Sequence, residues 1–196
     1  MKNIFIINGH QKYEGIAEGN LTRTMLQSAT EYLTNNGFTI KQTNIDDGYD
    51  IKEEVEKLAW ADAIIFQHPV YWMGLPWITK KYVDEVISAG KDSATYISDG
   101  RSRTDSSKQY GSGGLMQGKK YMLSLTYNCP TSEFSNPNGF FDGLSVDQAN
   151  IATHKIFQFC GLEPLQTYSL HDIFKGDLDI EKAKQNLLSV FQSNFS

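Results

Sequence analysis

The stretch most able to do chemistry runs from Ala63 to Trp77. Its first part, Ala63-Ile64-Ile65-Phe66, is a short apolar strand. Its second part, Pro69-Val70-Tyr71-Trp72-Met73-Gly74-Leu75-Pro76-Trp77, is a turn crowded with aromatics and bracketed by prolines. Pro76 suits the first turn of a following helix, Trp77 to Ile87. Tyr71, Trp72, Met73 and Trp77 therefore gather at the carboxyl end of a strand, which in open α/β sheets is where ligands bind. A broad apolar surface there suits a flat ring system. The competing reading is a hydrophobic plug between helix and sheet.

A second candidate lies near the start of the chain. An apolar strand ends in Asn8-Gly9, and a loop from His10 to Glu18 leads into Gly19-Asn20-Leu21-Thr22-Arg23-Thr24 and a helix. Free backbone N–H groups at a helix start, with hydroxyls and an arginine nearby, bind phosphate. No Gly-x-Gly-x-x-Gly and no Walker lysine motif is present, so the usual dinucleotide and P-loop sites are disfavoured. A plain capped helix is the alternative. Thr126-Tyr127-Asn128-Cys129-Pro130 ends another strand. Its turn amides could face the polar edge of a bound ring, with Tyr127 offering a stacking face. Tyr110-Gly111-Ser112-Gly113-Gly114 is a flexible stretch with one aromatic. The four histidines show no metal spacing. His154 falls off the apolar stripe of its helix and reads as a surface or subunit-contact residue. Cys129 reads as a small buried filler.

Elements to position these groups alternate along the chain. Strands are expected at Ile4–Ile7, Phe38–Thr43, Ala63–Phe66, Tyr121–Thr126 and Leu165–Leu170. Helical stripes are Leu21/Met25/Ala29/Leu33, Ile51/Val55/Leu58/Ala59, Ala149/Ala152/Ile156/Phe159 and Ile180/Ala183/Leu187/Phe191. Five strands alternating with helices imply a doubly wound α/β fold. Its parallel sheet would have order 2-1-3-4-5, with helices on both faces. Two long loops, Gly90 to Gly118 and Asn128 to Ser145, exceed the minimal pattern. Both flank the fourth strand, so both are expected to reach the edge that carries the Tyr71 turn.

Composition bounds the rest. The 196 residues suit one domain, 1–196, and at 40% hydrophobic with 21% charged the chain is ordinary for a water-soluble protein. No segment approaches a membrane span. The opening residues are too short an apolar run for a secretory signal and read as a first strand. Two widely spaced cysteines fit a reducing, cytoplasmic setting. A net charge of -5 without a basic stripe argues against nucleic acid. No metal site is expected.

The residues also carry a resemblance. Asn8-Gly9, Trp60-Ala61-Asp62, Pro69 with Trp72-Met73-Gly74 and Pro76-Trp77, Ser98-Asp99-Gly100-Arg101, Tyr110 to Gly114 and Gln117 to Thr126 resemble the flavodoxin-like NAD(P)H:quinone oxidoreductases. The likeness runs nearly end to end and includes Gly161-Leu162-Glu163-Pro164-Leu165. It implies a flavodoxin-like fold, bound FAD, NADPH as hydride donor, quinones as acceptors and a homodimer. By matching positions, Ala17, Glu18, Gly19, Asn20, Leu21, Thr22, Arg23 and Thr24 would hold the phosphates and ribityl chain. Val70, Tyr71, Trp72 and Met73 would contact the isoalloxazine, as would Thr126, Tyr127, Asn128 and Cys129. Tyr110 would lie near the ring, from the same or the partner subunit, as the candidate catalytic hydroxyl. Val70 and Tyr71 stand where the family has Gly and Trp, and Tyr127 where it has Trp. The implied reaction is two-electron reduction by a ping-pong mechanism. The rivals are an FMN-bearing one-electron carrier, an azo- or nitroreductase, and a non-enzymatic redox-sensing subunit. The long loops, as walls for a second ligand, argue against the carrier.

Overall fold

Runs of isoleucine and phenylalanine set the centre of the molecule. The computed structural model describes residues 1–175 and 177–195. β1 (Asn3–Asn8) pairs in parallel with β2 (Thr39–Asn44) on one side and β3 (Ala63–Pro69) on the other. β4 (Lys120–Thr126) lies beyond β3. The fifth position is shared by β5 (Glu163–Pro164) and β6 (Tyr168–Leu170), both parallel to β4. The expected order, β2-β1-β3-β4 and then the fifth strand, is the one observed. That strand differs from the expected Leu165–Leu170 in being broken. At the break, the Gln166 N–H donates to Asn194 Oδ1 at 3.0 Å, and Asn194 Nδ2 donates to the Gln166 carbonyl at 2.9 Å.

Alternation along each strand feeds two cores. Ile4, Ile6, Ala63, Ile65 and Met122 face α1 (Asn20–Asn35) and α6 (Ile180–Phe195). Phe5, Ile7, Ile64, Phe66 and Leu123 face α2 (Ile51–Trp60), α3 (Trp77–Tyr82, continued by a π turn over Val83–Ile87) and α5 (Ile151–Phe159). Each large apolar side chain buried this way contributes roughly 1.5–3 kcal/mol against leaving it in water. Pro76 stands at the N-cap of α3 rather than in its first turn.

Two helices keep part of the expected stripe against the core, Val55 and Leu58 in α2 and Ile156 in α5, but bury polar residues beside it. In α2 the inward residues are Glu54 and Leu58, while Ala59 is exposed. The buried Glu54 carboxylate accepts from Thr43 at 2.8 Å, Lys57 at 2.5 Å and Tyr82 at 2.7 Å, so its burial is compensated. In α5 the inward residues are Thr153, His154 and Phe157, with Ala152 exposed. His154 is therefore neither a surface nor a contact histidine; it is only 6% exposed. The Tyr121 hydroxyl donates to its Nδ1 at 2.7 Å, and its Nε2–H donates to Asp147 at 3.2 Å on the short α4 (Val146–Ala149). Burial pushes the Tyr121 phenol up to about 12, so it remains a donor.

The direction of the chain also corrects the placement of one loop. α3 descends from the carboxyl edge of the sheet, and β4 starts at the amino edge. The Gly90–Gly118 segment joins them at that amino edge. There the Met116 N–H donates to the Cys160 carbonyl at 2.8 Å, and Tyr96 and Tyr110 each pack 5.5 Å from the Phe159 ring at the foot of α5. Only the Asn128–Ser145 loop of the pair shares an edge with the Tyr71 turn.

Candidate functional site

Three strand ends and one helix start meet at the carboxyl edge. β1 runs out at Asn8, whose Oδ1 accepts the His10 N–H at 3.1 Å and turns the chain. The Gly9 N–H donates to the Gln67 carbonyl at 2.7 Å, and the Thr79 hydroxyl donates to the Gly9 carbonyl at 2.5 Å. A Cβ at Gly9 would stand 2.6 Å from Thr79, so only glycine lets the loop pass under α3. The loop then closes on itself. Tyr13 and Ala17 exchange backbone bonds of 3.0 and 2.7 Å, and His10 Nε2–H donates to the Ala17 carbonyl at 3.0 Å.

α1 begins at Gly19, which has φ of +78° and forms no side-chain cap. The first turn of α1 carries no acidic residue. Its leading N–H groups thus keep their partial positive charge for an outside acceptor. They open into a cleft of about 320 Å³ bounded by the loop, the end of β3, the end of β4 and the segment after β6. The carboxylate bordering the cleft is Glu18. The Gly15 N–H and then Lys12 hold it below the usual carboxylate range, so it is ionised but engaged.

The opposite wall is the turn after β3. Val70 N–H donates to the Thr126 carbonyl at 2.9 Å, and Tyr71 and Gly74 exchange backbone bonds of 3.0 Å each. Trp72 and Met73 between them have φ of +47° and +64°. Such angles cost bulky side chains of order 1–3 kcal/mol each and cluster at functional sites. Trp72 is 96% exposed and Trp77 64%. The hydrophobic-plug reading therefore fails: these rings face out of the fold. Among the described residues, the N–H groups of Trp72, Met73, Asn128 and Cys129 have no protein acceptor.

Of the residues singled out in the sequence, Ala17, Glu18, Gly19, Asn20, Leu21, Thr22, Val70, Tyr71, Thr126 and Asn128 line this cleft together. Trp72 does not line this cleft but a neighbouring groove with Tyr13, Tyr71 and Trp77, and Met73, next to it on the Tyr71 turn, is exposed. Arg23 and Thr24 fold back on α1, each bonded to Asn20. Tyr127 offers no stacking face. Its ring is buried, stacked on His171 at 5.2 Å, and its hydroxyl accepts from Asn150 at 2.6 Å. Cys129 is half-buried rather than a core filler, and burial pushes its thiol up. Tyr110 is 70% exposed at the amino edge of the sheet, away from the cleft of its own chain.

Five lining residues escaped the sequence reading as binders: His10, Ile16, Pro69, Ile173 and Phe174. Ile173 and Phe174 follow β6 at the same edge as the other strand ends, and that position was the available signal. His10 bears on what the cleft can hold. With Nε2–H donating to Ala17, its Nδ1 is an acceptor, buried and without a partner. A bare helix start for a phosphate, an unmet acceptor for a sugar or ribityl hydroxyl, and an aromatic wall fit a flavin nucleotide. Among the described residues no cluster of metal-ligating side chains occurs.

Fold and cleft together define a flavodoxin-like protein, and the chain belongs to the family described as having the flavodoxin-like fold, whose model matches residues 2–192. It is similar to the NADPH:quinone oxidoreductase MdaB of Haemophilus influenzae, with 43% identity over 173 residues, 88% of this chain and 89% of that one. The fold superposes on a putative quinone reductase from Klebsiella pneumoniae with a TM-score of 0.78 at 20% identity, covering all of this chain and 86% of the other. It also superposes on an FMN-dependent NADH-azoreductase from Bacillus anthracis in complex with FMN, with a TM-score of 0.63 at 16% identity over 99% and 98% of the two chains. At those identities the two structural likenesses are of fold alone.

Proposed function

We propose that this chain is an FAD-dependent NADPH:quinone oxidoreductase that reduces quinones by two electrons in a ping-pong cycle. The observation that carries the reading is the uncapped start of α1 facing the Tyr71–Gly74 turn across one cleft. The likeness to the Haemophilus enzyme supports the choice of donor and acceptor. When bound, the flavin supplies two-electron transfer between the pyridine nucleotide and the quinone.

The chain's own part is binding and electrostatics. The N–H groups at the start of α1 would hold phosphate, and His10 Nδ1 would accept a hydroxyl. Free N–H groups on the 70–74 and 126–129 turns would meet the polar edge of the ring and favour negative charge building there, as oxyanion donors do. The aromatic rim would keep water from the exchange face. One face used in turn by donor and acceptor gives parallel double-reciprocal lines; intersecting lines would mean that both substrates bind together.

The Tyr110 hydroxyl is proposed to act in trans. It stands at the far edge of its own sheet, so it reaches a ring only across a homodimer, from the partner subunit. The deciding experiment is heat release of the cofactor from purified protein and its chromatography. FAD is expected. FMN alone would favour the azoreductase reading.

A further inference from the structure

Tyr71 is one of the positions at which the sequence departs from the family pattern, and the structure gives its hydroxyl a specific partner. The phenol donates to the Gln11 carbonyl at 3.2 Å across a separation of 60 residues. The Tyr13 ring leans against it, with centroids 5.7 Å apart at 53°. Gln11 and Tyr13 belong to the loop that leads into α1; Tyr71 opens the strained turn after β3. Tyr71 itself lines the cleft. The loop is otherwise tied in another direction: Gln11 Nε2 and the Lys12 N–H both donate to Asp46, after β2. Among the described residues, the Tyr71 hydroxyl is the one hydrogen bond that joins the phosphate-side loop to the ring-side turn.

From this geometry we infer that Tyr71 is a positioning residue, a clasp that holds the two walls of the cleft at a fixed separation and so sets how firmly the nucleotide is retained. The inference rests on the flavin reading of the cleft. An indole at this position would present its N–H from a different point on a larger ring, so the clasp belongs to this chain and not to the aromatic character of the site. Burial raises the Tyr71 phenol to about 12, which keeps the donor protonated at neutral pH. Two consequences follow. The loop from His10 to Glu18 opens more often when the hydroxyl is absent, and a bound nucleotide leaves faster, while the buried core is untouched.

The test compares wild type with Tyr71→Phe, which keeps the ring, and with Tyr13→Phe, whose lost hydroxyl has no partner in the structure. Two quantities are read: the FAD dissociation constant by fluorescence, and the rate of tryptic cleavage after Lys12 in flavin-free protein. Tyr71→Phe should weaken FAD binding about fivefold, the equivalent of one neutral hydrogen bond. It should also speed cleavage after Lys12 without shifting the melting temperature of the flavin-free protein, and Tyr13→Phe should match wild type in both. An unchanged dissociation constant in Tyr71→Phe overturns the clasp. Wild type that binds no flavin overturns the cofactor reading instead, and the Lys12 cleavage rates then decide the clasp alone: faster cleavage upholds it, equal cleavage removes it.

Discussion

At the scale of single residues, the buried histidine of β3 has a measurable cost. The His68 ring is fully buried against Phe66. Its Nδ1–H donates to the Pro69 carbonyl at 2.9 Å, and its Nε2 has no partner. Burial lowers its pKa from the usual 6.5 of a free histidine to about 4. The folded chain therefore keeps His68 neutral where the unfolded chain takes a proton. Stability on this account is whole above pH 6.5 and falls as the pH drops towards 4. The loss is on the order of 3 kcal/mol over that window. Burial lowers His171 as well, which adds to the slope with the same sign. Urea midpoints between pH 4 and 7 should show the fall, and His68→Phe should flatten much of it; an unchanged slope would refute the assignment. Trp72 makes the opposite case. It is almost wholly exposed, so Trp72→Ala should alter folding stability by less than about 0.5 kcal/mol while weakening flavin retention. Lost stability with intact flavin affinity would return the hydrophobic-plug reading.

At the scale of elements, α1 balances two demands. An acidic residue in its first turn would stabilise the helix by about 0.3–1 kcal/mol and repel a phosphate. Asn20→Asp should therefore raise the melting point of the flavin-free protein and weaken flavin binding; calorimetry with and without the flavin reads both signs. In α5, His154→Leu would leave the buried Tyr121 hydroxyl without its acceptor and cost about 1–3 kcal/mol, read from denaturation curves, with flavin affinity kept. These two helices also mark what the sequence reveals. β1, β3, β4 and the inward stripe of α1 are legible because apolar residues outnumber polar ones at the right period. α2 and α5 mislead in part, because Glu54 and His154 are buried by virtue of partners on other elements, and hydrophobic spacing carries no trace of a partner. Within the cleft, Gly19 to Thr22 and Val70 to Tyr71 are readable from local chemistry. His10, Ile173 and Phe174 are not, because only the closed sheet brings them to the same edge.

At the scale of the whole molecule, the proposed homodimer has a surface on which to form: Tyr110, Ile97 and Leu115 are all exposed on the Gly90–Gly118 loop. A two-fold dimer would bury this surface and complete each cleft with the partner subunit's Tyr110. Sedimentation equilibrium at low micromolar concentration should give twice the 22.1 kDa chain mass. Mixing provides a sharper test. Tyr110→Ala and Asn20→Asp chains, each impaired alone, should regain about a quarter of wild-type activity on random re-association, because one site of each mixed dimer is intact. No recovery would place Tyr110 in its own subunit's site or outside the chemistry.

The break in the fifth strand has a consequence for behaviour in a crowded solution. An outer strand with its full row of free N–H and C=O groups is a template on which another chain can grow a sheet. Here the row is interrupted at Gln166, and the side-chain amide of Asn194 occupies both of its backbone groups. The last turn of α6 thus acts as a stopper on this border of the sheet. Replacing Asn194 by Leu frees one donor and one acceptor where a foreign strand would dock, so the variant should aggregate on mild heating well before its cleft loses the ability to bind nucleotide.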